Sequence, residues 1–126
     1  MAMKANELMI GDWVHVEHNG KASHFGKVTA LLSSGAVETE IEGSHALSSS
    51  VEPIPLTSEI LEKNGFECRG AWMIPGEDFG LRQDCDSWGV LPYYADYNAL
   101  ALCHIAYLHE LQHLLHLCGI EEEIML

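Results

Sequence analysis

The sequence predicts an α+β protein: a small curled β-barrel at the N-terminus, followed by a short antiparallel sheet with a C-terminal amphipathic helix. Three observations predict it. Val37, Thr39 and Ile41 alternate with Glu38, Glu40 and Glu42, the period-2 pattern of a strand with one buried face. Tight-turn residues, Asn19-Gly20 and Ser33-Ser34-Gly35, punctuate the β-rich first fifty residues. Near the other end Leu108, Leu111, Leu115 and Cys118 recur at helical spacing, with Gly119 placed to stop the helix.

In order, Leu8 to Val16 reads as a strand with a Gly11-Asp12 kink near its start, Phe25 to Leu32 as a second and Ala36 to Glu42 as a third. Short strands joined by tight turns suit a closed or nearly closed barrel over residues 8–53, with Val14, Val16, Val28, Val37 and Ile41 inside and Glu38, Glu40 and Glu42 outside. Residues 43–50 read as a loop. Pro53 and Pro55 keep the next stretch extended, because the residue before a proline avoids the helical region. Thr57 is placed to cap a short helix through Lys63, which Asn64-Gly65 closes. Strands follow at Phe66 to Ile74, Phe79 to Gln83 and Trp88 to Tyr94, with Asp84 to Ser87 as a turn and Asn98 to Ile105 as a last strand. This divides the chain into a barrel subdomain, 1–53, and an α+β subdomain, 54–126, whose sheet the C-terminal helix covers.

Ile10-Gly11-Asp12, Val14 and Val16, then Gly26-Lys27-Val28, resemble the SH3-like barrels of the KOW type. Many such barrels bind RNA or ribosomal partners through a basic surface. A second resemblance spans more of the chain. Asn6-Glu7-Leu8 with Ile10-Gly11-Asp12-Trp13-Val14, then Pro53-Ile54-Pro55-Leu56-Thr57 with Leu61 and Asn64-Gly65-Phe66, then Tyr107-Leu108-His109-Glu110-Leu111-Gln112, occur in this order. Together they look like a family of small uncharacterised proteins from anaerobic gut bacteria and their prophages, which implies a mobile-element origin and no particular chemistry. In that family the third block typically reads His-x-Leu-Gln-Asn, so His113 is a departure from it.

Charge narrows the function classes. Against 19 Asp and Glu stand 6 Lys and Arg, a net charge of −13. A surface this acidic repels phosphate, which argues against direct nucleic-acid binding; solubility is its simplest role, and attraction of a basic partner protein is the alternative. The 4 cysteines, Cys68, Cys85, Cys103 and Cys118, are far apart and form no Cys-x-x-Cys pair. Reduced thiols in a cytoplasmic protein are the simplest expectation. No apolar run approaches the ~20 residues of a membrane span, so no membrane partner is expected.

The one catalytic-looking motif lies on the C-terminal helix. His109-Glu110-x-x-His113 is the spacing that puts two imidazoles on one helix face for zinc, with Glu110 as the base that activates metal-bound water. The third ligand is missing from the familiar place: His116 stands where a glycine is expected and Gly119 where a histidine is. The favoured expectation is therefore a solvated stripe of His109, Gln112, His113 and His116 on a structural helix. A non-catalytic metal site on His109, His113 and His116, with Cys103 and His104 upstream, is the intermediate case. His15, His18, His24 and His45 cluster in the barrel half and are expected to tune solubility and not to form a site. Cys103 beside His104 does not suit nucleophilic catalysis, since neighbours on a strand point to opposite faces. Trp13, Trp72, Trp88 and the tyrosines at 93, 94 and 97 read as core and rim.

The leading expectation is a non-enzymatic protein that binds another protein, with no cofactor. The alternatives are a zinc-dependent hydrolase using residues 109–113 and an acidic decoy that occupies a nucleic-acid-binding protein.

Overall fold

The computed structural model describes residues 7–16, 24–41, 43–48, 51–93, 100–120 and 123–126. The expected turn at Asn19-Gly20, as well as His18, Glu42, Tyr94 and Tyr97, lie outside the described residues. Among the described residues two antiparallel sheets and two helices make up an α+β protein. No helix among the described residues is long and apolar enough to cross a membrane.

The chain forms two compact units, Met1–Pro55 with Tyr107–Glu121, and Leu56–Ala106 with Glu122–Leu126. This corrects the expected division at residues 53 and 54: the C-terminal helix belongs to the unit of the first sheet and not to the unit of the second. The chain leaves the first unit and returns to it side by side. Pro55 and Tyr107 form an antiparallel bridge, and the Leu108 N–H donates to the Ile54 carbonyl at 2.8 Å. Leucine periodicity tells of a buried face but not of which unit the helix joins.

In the first unit, β1 (Trp13–Val16), β2 (His24–Leu31), β3 (Val37–Ile41) and β4 (Ser44–Ser48) form a sheet in sequence order. Val14, Val16, Val28 and Val37 are buried with Leu8 and Val51, and Ile41 packs against them, so the expected inward face holds. Glu40 is exposed, as expected, whereas Glu38 is half-buried and accepts a hydrogen bond from the Thr29 hydroxyl at 2.8 Å. A register shift between Val28 and Ala30 bends β2. Among the described residues the sheet does not close: β1 and β4 are its two ends. After β4 the chain returns to β1 through a bridge between His15 and Glu52.

The loop expected over 43–50 contains a strand. Gly43, at φ 83°, makes the tight turn by which Ser44 comes to lie opposite Ile41. A side chain at that φ would be strained, so a glycine there marks a hairpin rather than a loop. Ser-His-Ala-Leu-Ser carries too little apolar alternation to announce itself.

The second unit begins with α1 (Ser58–Lys63), capped as expected by the Thr57 hydroxyl, which accepts from the Ile60 N–H at 3.3 Å. Its sheet runs β5 (Glu67–Arg69), β6 (Ala71–Met73), β7 (Gly80–Asp84), β8 (Ser87–Leu91) and β9 (Cys103–Ile105), in that order. The single strand expected over 66–74 is a hairpin instead, because Gly70 at φ 84° reverses the chain between Arg69 and Ala71. Trp88 is buried and its indole N–H donates to the Leu56 carbonyl at 3.0 Å. The Asn64 side chain holds residue 125 through two hydrogen bonds, at 2.9 and 2.7 Å.

Candidate functional site

Two places in the first unit concentrate polar chemistry or unsatisfied surface: the histidine stripe of α2 (Leu108–Leu117) and the free edge of β4.

α2 is fastened to the start of β1 by two consecutive side chains. Gln112 behaves like a piece of neighbouring strand, since its Oε1 accepts from the Trp13 N–H at 2.8 Å and its Nε2 donates to the Gly11 carbonyl at 3.0 Å. His113 follows, with Nε2 2.6 Å from Asp12 Oδ2. The Asp12 residue is only 2% exposed. Its Oδ2 also accepts from the Met9 N–H at 2.8 Å, which closes the turn before β1. The Gly-Asp kink of the sequence is thus a polar anchor for a helix about a hundred positions away in the chain.

His109 is 7% exposed and its Nδ1 has no hydrogen-bond partner. Its ring stacks on Tyr107, with centroids 6.0 Å apart, and meets His113 edge-on at 5.5 Å. Burial depresses its pKa below the ordinary 6.5, against the pull of Asp12, Glu110 and Glu7 and with the help of His113. Glu110 turns back to the head of the helix, where its carboxylate accepts from the Tyr107 N–H at 3.1 Å. His116 is exposed, as are Leu117 and Cys118. The expected solvated histidine stripe is therefore corrected at His109, which is buried, and at His113, which is held by Asp12. Cys118, expected in the core, is on the outside because the helix ends at Leu117 and Cys118 is its C-cap. Leu108, Leu111 and Leu115 are buried as expected.

This arrangement bears on the zinc motif. Among the described residues no set of three or more His, Cys, Asp and Glu side chains is gathered to hold a metal. A zinc ion on the motif would have to displace Asp12 from His113 Nε2, and Glu110 would have to leave its cap to act as a base. Cys103 and His104 lie on β9, where the His104 Nε2 is 3.2 Å from Asp84 Oδ2. The remaining described histidines are accounted for separately: the His15 ring packs on Phe25, His45 pairs with Glu38, and His24 is exposed. All four cysteines are exposed and unpaired.

The second place is the outer edge of β4. Among the described residues nothing pairs with it. On one face it carries Ser44, Ala46 and Ser48, opposite Ile41, Thr39 and Val37. On the other it carries His45 and Leu47, opposite Glu40 and Glu38, and Leu47 is 61% exposed. Sheet edges are ordinarily protected by proline, lysine, a bulge or a cover. β4 has no proline and no lysine, and its register with β3 runs without a shift.

No family model matches this chain. Comparison with curated proteins and with solved structures likewise finds no match. Neither site can borrow a role from a relative, and each is read from its own chemistry. Sequence reasoning missed both Asp12 and β4. For Asp12 the only local signal was its place in a Gly-Asp turn; for β4 it was Gly43.

Proposed function

We propose that the protein is a non-enzymatic protein-binding module that receives an extended segment of its partner on the free edge of β4. The observation that carries the reading is that edge: among the described residues the backbone groups that β4 turns away from β3 are unclaimed, a leucine is exposed beside them, and the strand has no proline, lysine or bulge. The order of the first sheet, with Glu52 returning beside β1, supports an SH3-like arrangement, in which such an edge is available because the strands form an open meander. The net charge of −13 favours a basic partner protein over a nucleic acid.

A photoreactive residue at position 47 of the full chain, compared with one at exposed position 117 on α2, tests this in the cell. Cross-links concentrated at 47, mapped to one segment of one partner and abolished by competing unlabelled wild-type protein, are expected. Equal labelling from 47 and 117, or labelling from 117 alone, would overturn the reading.

A further inference from the structure

Building on that reading of β4, we infer that the segment it takes is a basic strand whose apolar and cationic residues alternate. The chemistry follows from the two faces of the edge. A strand laid along β4 sends every second side chain to each face. On the face shared with Val37, Thr39 and Ile41, β4 presents only Ser44, Ala46 and Ser48, which reach little beyond the backbone. Ile41 is left partly open there while its neighbours Val37 and Thr39 are buried. Apolar side chains from an added strand would extend that core outward.

The opposite face carries carboxylates. Glu40 lies between Lys27 and His45 across the ladder, and Glu38 lies opposite Leu47, so two carboxylates stand one strand in from the edge. The one ionisable side chain that β4 itself supplies is His45, whose Nδ1 is 3.2 Å from Glu38 Oε1. A lysine or arginine on an added strand has the length to reach over β4 to these carboxylates, laying its methylenes along Leu47 on the way. A second copy of this chain fits poorly as occupant, because its own β4 would bring Glu38 and Glu40 to the same face and a further −13 with them.

The probe is a synthetic peptide of about eight residues, a common strand length, alternating lysine and valine and titrated by fluorescence anisotropy against the whole protein. Three comparison peptides accompany it: the same composition in blocks, a glutamate–valine alternation, and the lysine–valine peptide N-methylated at every second amide. Saturable binding of the alternating basic peptide is expected, with affinity at least ~10-fold lower for the blocked and the methylated forms and for the E40K variant. Methylation removes ladder donors and keeps the charge, so equal binding by the methylated peptide would mean simple charge attraction and overturn the inference. Binding of the acidic alternation as strong as that of the basic one would overturn the charge preference while leaving edge pairing intact. If the basic peptide fails but position 47 still cross-links a partner, the inference falls and the binding role of β4 stands.

Discussion

Two histidine–aspartate pairs stand among the described residues, one in each unit, and they are built from the same chemistry in opposite surroundings. In the first unit His113 meets Asp12 at 2.6 Å, with 27% of the imidazole side chain and 3% of the carboxylate side chain exposed. In the second unit His104 meets Asp84 at 3.2 Å, with 51% and 29% exposed. Asp84 does not depend on its histidine. Arg82 grips it with two nitrogens, at 2.8 and 2.9 Å, and that grip is the main reason the Asp84 carboxyl ionises below its usual range. Gly89 lies between Arg82 and His104 across the ladder, and a Cβ there would come within 2.6 Å of Asp84 Oδ2. Asp84 has a substitute partner and water; Asp12 has the Met9 N–H, its imidazole and little else. The comparison teaches that a motif's weight lies in what remains when one member is removed.

The largest effect is expected from breaking the buried pair. His113→Asn should cost about 1–3 kcal/mol, the penalty for leaving a buried polar group short of a partner. Urea unfolding with and without chelator measures it, and the loss should be the same in both. A loss that appears only in the absence of chelator would restore the zinc reading of residues 109–113. The sequence alone placed this residue on a solvated face, where the change would have been negligible.

A second effect sharpens the comparison through pH. His109 is kept neutral by burial, so its folded pKa lies below the unfolded value of 6.5. As pH falls below about 6.5 the unfolded chain takes up a proton that the folded one refuses, and stability declines until the folded pKa is passed. The contribution is fully present above 6.5. Replacing His109 by Gln should flatten that part of the pH–stability curve, read from unfolding midpoints between about pH 7 and pH 5. An unchanged slope would show that the buried Nδ1 is not the cause.

The smallest effect belongs to the exposed pair. His104→Asn should leave the unfolding midpoint where it was, because Arg82 continues to hold Asp84 and water replaces the imidazole. A shift as large as that of His113→Asn would erase the distinction between the two pairs.

The same contrast explains what was legible in the sequence. α1 with its Thr57 cap, the inward valines of β1 to β3 and the buried leucines of α2 all advertise themselves through local pattern, and they were readable. The turn at 84–87 was readable too, although Cys85 and not a glycine takes the left-handed φ of 55° there. Asp12 was not readable as an anchor, since its partner is 101 positions away and an aspartate in a turn looks solvated. β4 was not readable because its inward positions are serine and alanine, whose small side chains leave almost no periodic signal. Gly70 reads in the sequence as part of a strand because a glycine carries the same letter whether it bulges or reverses the chain. The histidine spacing was visible, but spacing cannot say whether an imidazole faces water, metal or a buried carboxylate.

The return of the chain to its first unit has a consequence for how the protein is made. Trp13 waits 99 positions for the Gln112 side chain that receives its N–H, and Asp12 waits as long for His113. During synthesis residues 56–106 are made, and emerge, ahead of α2. Their sheet, built from neighbouring strands joined in order, has mostly short-range partners to find. The first sheet emerges earlier but is completed later, with Gly11, Asp12 and Trp13 lacking their helix until the last turn of α2 is free of the exit tunnel. The oldest part of the chain is thus the last to be finished, and its unprotected β4 edge is exposed to other chains throughout that interval. Pulse-labelled hydrogen exchange on stalled nascent chains should accordingly find the amides of β7 and β8 protected before that of Trp13.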